Sequence, residues 1–176
     1  AAAVVRTVKI PVTVKLRLGW TRDRLIAHEM VPALEEAGVA AVTIHGRTRC
    51  QGYTGEADRA EIRRGVEAAR HMPVIANGDV TSPATARRLF METGCAGIMI
   101  GRGALSNPWL LRDIHRDLQG LPPLPPPTWA ECMAHMRAHF ERMLDLYGPE
   151  IGTVLYRKWI PLYVRRWLHN RQRMVG

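Results

Sequence analysis

At 176 residues the chain is long enough for one ordinary domain with a core of its own, or for part of a larger fold. Hydrophobic residues at 47% exclude a disordered chain, and no apolar run approaches the roughly 20 residues that cross a bilayer. A net charge of +9, with a pI of about 10.3, points to a polyanionic partner without bearing on the fold.

The chain opens on Ala1-Ala2-Ala3-Val4-Val5-Arg6, without Met and without a basic-then-apolar secretory signal. This reads as the tail of a helix and predicts a start inside a fold. Pro11–Leu16 is short and β-branched, which predicts a buried strand. Arg22–Ala37 carries Leu25, Ile26, Met30 and Leu34 at helical spacing, with Gly38 where a helix stops. Val39–His45 predicts an apolar strand, Gly46–Gly55 a polar loop and Ala57–Arg70 a helix. A strand is expected at Pro73–Asn77, then a helix capped by Ser82 with Pro83 in its first turn, ending at Gly94. The longest apolar run, Cys95–Gly101, predicts a further strand, followed by a helix over Pro108–Leu118. Leu121–Pro127 is mostly proline, a stiff linker and a domain boundary. Trp129–Tyr147 and Thr153–Arg171 are expected to be helical.

Strands that alternate with helices, each strand read as apolar on both faces, imply a parallel sheet covered by helices, either doubly wound or a β/α barrel. An internal repeat favours the barrel. Pro11-Val12-Thr13-Val14-Lys15 matches Pro73-Val74-Ile75-Ala76-Asn77, and the segment from Gly38 to His45 matches that from Gly94 to Gly101. The expectation is an α/β fold comprising the C-terminal half of a (β/α)8 TIM barrel, about four of the eight strands, followed by a small helical domain. Residues 1–120 would be the half-barrel, 121–127 the linker and 128–176 the helical domain.

In such a barrel, function sits at the carboxyl ends of the strands. Those ends carry Lys15 with Arg17, His45-Gly46-Arg47, Asn77-Gly78-Asp79 and Gly101-Arg102-Gly103. Glycines at the last two ends admit backbone N–H groups to a phosphate, with Arg102 adding positive potential. Lys15 is suited to an electron-rich ring that becomes anionic on reduction, and His45 to a phosphate or ribitol oxygen. Taken one at a time, each cluster has a bland reading as a turn or a satisfied structural group. Four in barrel register point to a phosphate-bearing cofactor.

The segments 12–20, 43–49, 55–58, 73–79, 99–104 and 107–109 closely resemble the tRNA-dihydrouridine synthases, nearest to the bacterial B-type branch. The likeness runs in order from about Pro11 to Asp117 and then thins to Tyr147-Gly148 and Arg157-Lys158. It implies FMN held by Lys15, His45, Asn77, Gly78, Asp79, Gly101 and Arg102, with NADPH as reductant and uridine in tRNA as substrate. It also implies a catalytic cysteine upstream of residue 1, so that this chain lacks the acid and a missing N-terminal half or a complementing partner is expected. Two positions depart from the family pattern: Arg59, where an aromatic is usual, and Trp159, where the tail usually has His.

The three cysteines, Cys50, Cys95 and Cys132, are odd in number and scattered, which favours a reducing compartment: the cytoplasm, or an organelle matrix. Cys50, in the loop near the mouth, is weighed as a substitute acid and set aside. Cys132, His135 and His139 share helical spacing, but Cys132, Met136, Phe140 and Met143 already form a packing stripe, and no metal is expected. From Ile151 onward the chain holds Arg157, Lys158, Arg165, Arg166, Arg171 and Arg173 and no acidic residue. Trp159, Tyr163 and Trp167 recur at helical spacing as a packing stripe, leaving Arg157, Lys158, Arg165 and Arg166, together with Arg47, as expected RNA contacts. The competing readings are a catalytically inactive half-barrel serving a larger RNA–protein assembly, and an FMN-barrel oxidoreductase acting on a small molecule.

Overall fold

The computed structural model describes residues 1–165 as two compact units, Ala1–Gly103 and Ala104 onward. In the first, β-branched segments become four parallel strands in sequence order: β1 (Thr13–Arg17), β2 (Ala41–His45), β3 (Val74–Asn77) and β4 (Gly97–Met99). Helices α2 (Ala27–Glu36), α3 (Arg59–Ala68) and α4 (Pro83–Thr93) connect them, and a short α1 (Ala2–Thr7) precedes the sheet.

The pleat sorts the strand residues into two unlike faces. Val42, Ile44, Val74 and Ala76 lie on one face and are buried. There Ile44 reaches so close to α3 that a Cβ on Gly65 would lie 2.3 Å from its Cδ1. Val31, Leu34, Ile62, Ala86 and Leu89 supply the helical side of this core. The other face carries Lys15, Arg17, Thr43, His45 and Asn77, with Ile75 and Met99 among them. The strands are therefore not apolar on both faces, and the polar face is the one that builds a site.

Local chemistry sets the helix boundaries. Asp58 caps α3 by accepting from Glu61 N, and Ser82 with Thr85 forms a capping box on α4, with Pro83 in its first turn. The Glu35 carboxylate, at the end of α2, accepts the N–H groups of Arg70, His71 and Met72 and ties that helix to the turn before β3. The helix expected from Arg22 begins only at Ala27. Leu18 O accepts from both Ile26 N and Ala27 N, and Gly19 bridges Leu25, so the intervening residues form a closed loop.

In the second unit, α6 (Leu110–Leu118) leads into an extended stretch at 121–128 without regular structure. Thr128 and Glu131 form a capping box at the start of α7 (Trp129–Tyr156). Gly148, at φ 77° and ψ 166° and followed by Pro149, breaks this helix in two. The second segment folds back on the first: Tyr156 donates to Met136 O at 2.7 Å and packs on Phe140 with ring centroids 4.9 Å apart. A turn at 157–159 separates it from helical residues 160–165, so the expected continuous helix from Thr153 is interrupted. There Trp159 N bonds Tyr156 O, a tighter closure than an α-helix makes.

Buried Gly152 is where the two segments of α7 touch, since a Cβ there would lie 2.6 Å from Met143 O. Backbone cannot yield as a side chain does, so Gly152→Ala is expected to lower stability by about 1–3 kcal/mol, read from urea or thermal unfolding.

Candidate functional site

Register aligns the carboxyl ends of the strands. Arg17 pairs with His45, His45 with Asn77 and Asn77 with Met99, one row beyond Lys15, Thr43, Ile75 and Gly97. Paired residues of parallel strands point to the same side. The sheet therefore gathers Lys15, Arg17, His45 and Asn77 on one face at its carboxyl end.

His45 is 6% exposed, yet neither ring nitrogen has a hydrogen-bond partner among the described residues. Burial lowers its pKa below the ordinary histidine range, and Lys15 and Arg17 push it the same way. The Asn77 amide lies beside the ring and opposes the shift, but its Nδ2 donates to Met99 O at 2.8 Å. A neutral imidazole offers one donor and one acceptor. Lys15 is likewise held below its ordinary pKa by partial desolvation and then by Arg17.

Arg47 occupies a different place from the one expected of an RNA contact. It is 2% exposed, and its guanidinium grips Asp79 bidentately, at 2.8 Å to each carboxylate oxygen. Two further N–H groups donate to Thr54 O and Gly55 O. Buried and held by four hydrogen bonds, Arg47 anchors the loop after β2 rather than reaching outward. Asp79, which adopts a positive φ of 47°, also accepts Ala57 N at 2.7 Å and lies 3.7 Å from Arg102 Nη2. Its carboxylate faces protein partners. Gly78 beside it is set by packing, since a Cβ would meet that of Ala57 at 2.4 Å.

Gly101, by contrast, faces open space: among the described residues, its chain neighbours aside, no atom lies within 4 Å of where its Cβ would be. Arg102 follows in the short helix α5 (Arg102–Leu105), its side chain 56% exposed. Its guanidinium sits 4.2 Å above the ring of Tyr53, which also faces Arg17 at 5.4 Å and meets His45 edge-on at 6.3 Å. Tyr53 escaped sequence reasoning because the loop was legible only as polar. Its placement between two arginines depends on contacts distant along the chain.

Cationic Lys15, Arg17 and Arg102, with an open glycine and a buried imidazole lacking partners, can receive an anionic group that carries further hydrogen-bonding atoms. Cys50 is exposed on the loop, beside a cavity of about 340 Å³ lined also by Thr21, Arg22 and Thr48. Cys95 is buried.

In the second unit Arg157, Lys158 and Arg165 are exposed, while Arg166, Trp167, Arg171 and Arg173 lie outside the described residues. Trp159 and Tyr163 both pack on His139, whose Nδ1 is 2.9 Å from the Tyr163 hydroxyl, so these aromatics belong to the packing. Burial lowers the pKa of His135 and His139. Among the described residues no cluster of His, Cys, Asp and Glu could hold a metal ion, and no helix is long and apolar enough to cross a membrane.

The Arg47–Asp79 pair makes a pH prediction. Burial would raise the Asp79 pKa, but the hydrogen bond from Arg47 and that from Ala57 N outweigh it and hold the pKa below the ordinary carboxylate value. A depressed acid stabilises the fold above the unfolded pKa of about 3.9, and that stability is lost as pH falls through the folded value. Asp79→Asn leaves Arg47 buried without its counter-charge and is expected to cost about 3 kcal/mol at neutral pH. The variant should also have a flatter acid limb in melting temperature against pH.

The dihydrouridine synthase (Dus) family matches residues 1–173 of the chain. A probable tRNA-dihydrouridine synthase of Rhodobacter capsulatus is 45% identical over 161 residues, 92% of this chain and 49% of that protein. A probable tRNA-dihydrouridine synthase of Rickettsia conorii is 42% identical over the same share of this chain and 48% of its own. The tRNA-dihydrouridine synthase B of Escherichia coli K12 is 40% identical over 169 residues, 96% of this chain and 52% of that protein. The chain thus spans about half the length of the curated relatives it matches. A match over nearly every residue, at identities of 40% and above, establishes that the chain belongs to the dihydrouridine synthase family.

Proposed function

We propose that the protein reduces uridine to 5,6-dihydrouridine in tRNA, with FMN as bound cofactor and NADPH as reductant. In this reading residues 1–120 supply half of a flavin-binding TIM barrel, 121–127 a proline-rich linker and 128–176 a helical tRNA-binding region. The observation that carries the cofactor reading is His45: a buried imidazole with no partner for either nitrogen among the described residues leaves its hydrogen bonds to a bound group. The open approach to Gly101, with the half-exposed Arg102 next to it, fits a phosphate-bearing group.

FMN, when bound, supplies a two-electron carrier able to pass a hydride to C6 of the uracil ring. Lys15, partly desolvated on the polar face, supports negative charge on the reduced ring. His45 and Asn77 orient the cofactor through hydrogen bonds, and the backbone of Gly78, Asp79 and Gly101 with the Arg102 side chain receives the phosphate. Asp79 contributes through its backbone, because its carboxylate is engaged by Arg47. Arg157, Lys158, Arg165 and Arg166 meet tRNA phosphates.

Two measurements test this reading. Lys15→Ala is expected to weaken flavin binding or slow flavin reduction, and Arg102→Ala to loosen the cofactor by about 1.5–3 kcal/mol, the range of a charge-assisted hydrogen bond. Unchanged flavin retention in both variants would overturn the site. Replacing Arg157, Lys158, Arg165 and Arg166 together by Ala is expected to weaken tRNA binding. It should also reduce the slope of log affinity against log salt by roughly 0.7–0.9 for each phosphate no longer neutralised, measured by fluorescence anisotropy.

A further inference from the structure

We infer that Tyr53 is a positioning residue whose ring holds the Arg102 guanidinium in place for the cofactor phosphate; this rests on the FMN reading above. The ring is 61% exposed, so burial does not account for its placement. Its mounting does. Arg17 Nη1 donates to Thr48 O and Gly52 O at 2.8 and 2.9 Å, and the Arg47 guanidinium donates to Thr54 O and Gly55 O. The carbonyls immediately before and after Tyr53 are thus both held by arginines rooted at the end of the sheet. Gly52 and Gly55, at φ 61° and 59°, give the left-handed turns that present the ring between them. An aromatic side chain on an anchored loop is a fixed surface rather than a mobile one.

That surface faces two like charges. The guanidinium carbon of Arg102 lies 4.2 Å from the ring centroid and that of Arg17 lies 5.4 Å from it. The negative π face attracts each cation and offsets their mutual repulsion. Arg102 needs such a contact. Its approach to Asp79 is 3.7 Å, beyond hydrogen-bond distance, and that carboxylate already accepts from Arg47 and Ala57. Without the ring, a half-exposed arginine would spread over its rotamers, and binding a phosphate would have to order it again.

The test compares FMN with riboflavin, which lacks the phosphate, by fluorescence titration of the deflavinated protein. The ratio of the two dissociation constants isolates the phosphate contact. Tyr53→Ala is expected to reduce the preference for FMN roughly two- to five-fold, the effect of one exposed cation–π contact, while leaving riboflavin affinity near that of the parent. Tyr53→Phe, which keeps the ring, should retain the parent ratio, and Tyr53→Leu should not. In an Arg102→Ala background Tyr53→Ala should change the ratio no further. An unchanged ratio in Tyr53→Ala, an equal loss of both flavins, a Tyr53→Phe variant as impaired as Tyr53→Ala, or a full effect persisting without Arg102 would each overturn the inference. A parent protein with no preference for FMN would instead overturn the cofactor reading on which it rests.

Discussion

A guanidinium with almost no access to solvent has to be neutralised where it lies, and the mouth of this sheet is organised by how Arg47 meets that demand. Its bidentate bond to Asp79 joins the segment after β2 to the end of β3, although 32 residues separate the two in sequence. The same side chain holds Thr54 O and Gly55 O, so one buried cation fixes the loop that covers the strand ends. Arg17 fixes the first half of that loop from β1. Between these anchors the loop carries Tyr53 at a defined height above His45. Arg102, from the end of β4, completes the arrangement against the outer side of Asp79.

The parallel register is the second constraint, and it divides the labour between the faces of the sheet. On one face Val42, Ile44 and Ala76 meet the helices with no exposed surface, which supplies the apolar burial that holds the first unit together. That burial frees the opposite face from packing duty. Lys15, Thr43, His45 and Asn77 stand there in register, and two of them are buried without becoming apolar. Their electrostatic character follows from position. His45 and Lys15 both lose affinity for a proton because burial penalises charge and because their neighbours are cations. A polar face of this kind, rich in donors and poor in carboxylates, suits a ligand that is electron-rich and carries phosphate.

The second unit reaches its structure by a different route. Gly148 and Pro149 break one long helix so that Tyr156 can return to Met136 and Phe140, and Gly152 lets the two segments come into backbone contact. Tyr156, Trp159 and Tyr163 are drawn inward around His139. Arg157, Lys158 and Arg165 remain at the surface because the packing is supplied by rings, not by charges. Basic residues displaced from a core in this way are available to a polyanion.

By itself the sequence determined the strands, their parallel sense, the helix cap at Ser82, the proline stretch and the row of polar strand ends. Each of these is written in short-range chemistry: β-branching, helical spacing, capping residues and the repeat shared by 11–15 and 73–77. It also carried the family, through segments whose order and spacing are intact. Only the tertiary structure decided what the charged residues do with one another. Arg47 and Asp79 lie at equivalent strand ends and look alike in the sequence to neighbours that face solvent, yet they close on each other and leave Arg102 exposed. Tyr53 is unremarked in a polar loop until two arginines, one from each edge strand end, converge on its ring. The start of α2 and the turn at 157–159 likewise follow from hydrogen bonds to Leu18 O and Tyr156 O, which local propensity does not encode. Such outcomes depend on which distant groups compete for one donor or one charge, and that competition exists only once the chain has folded.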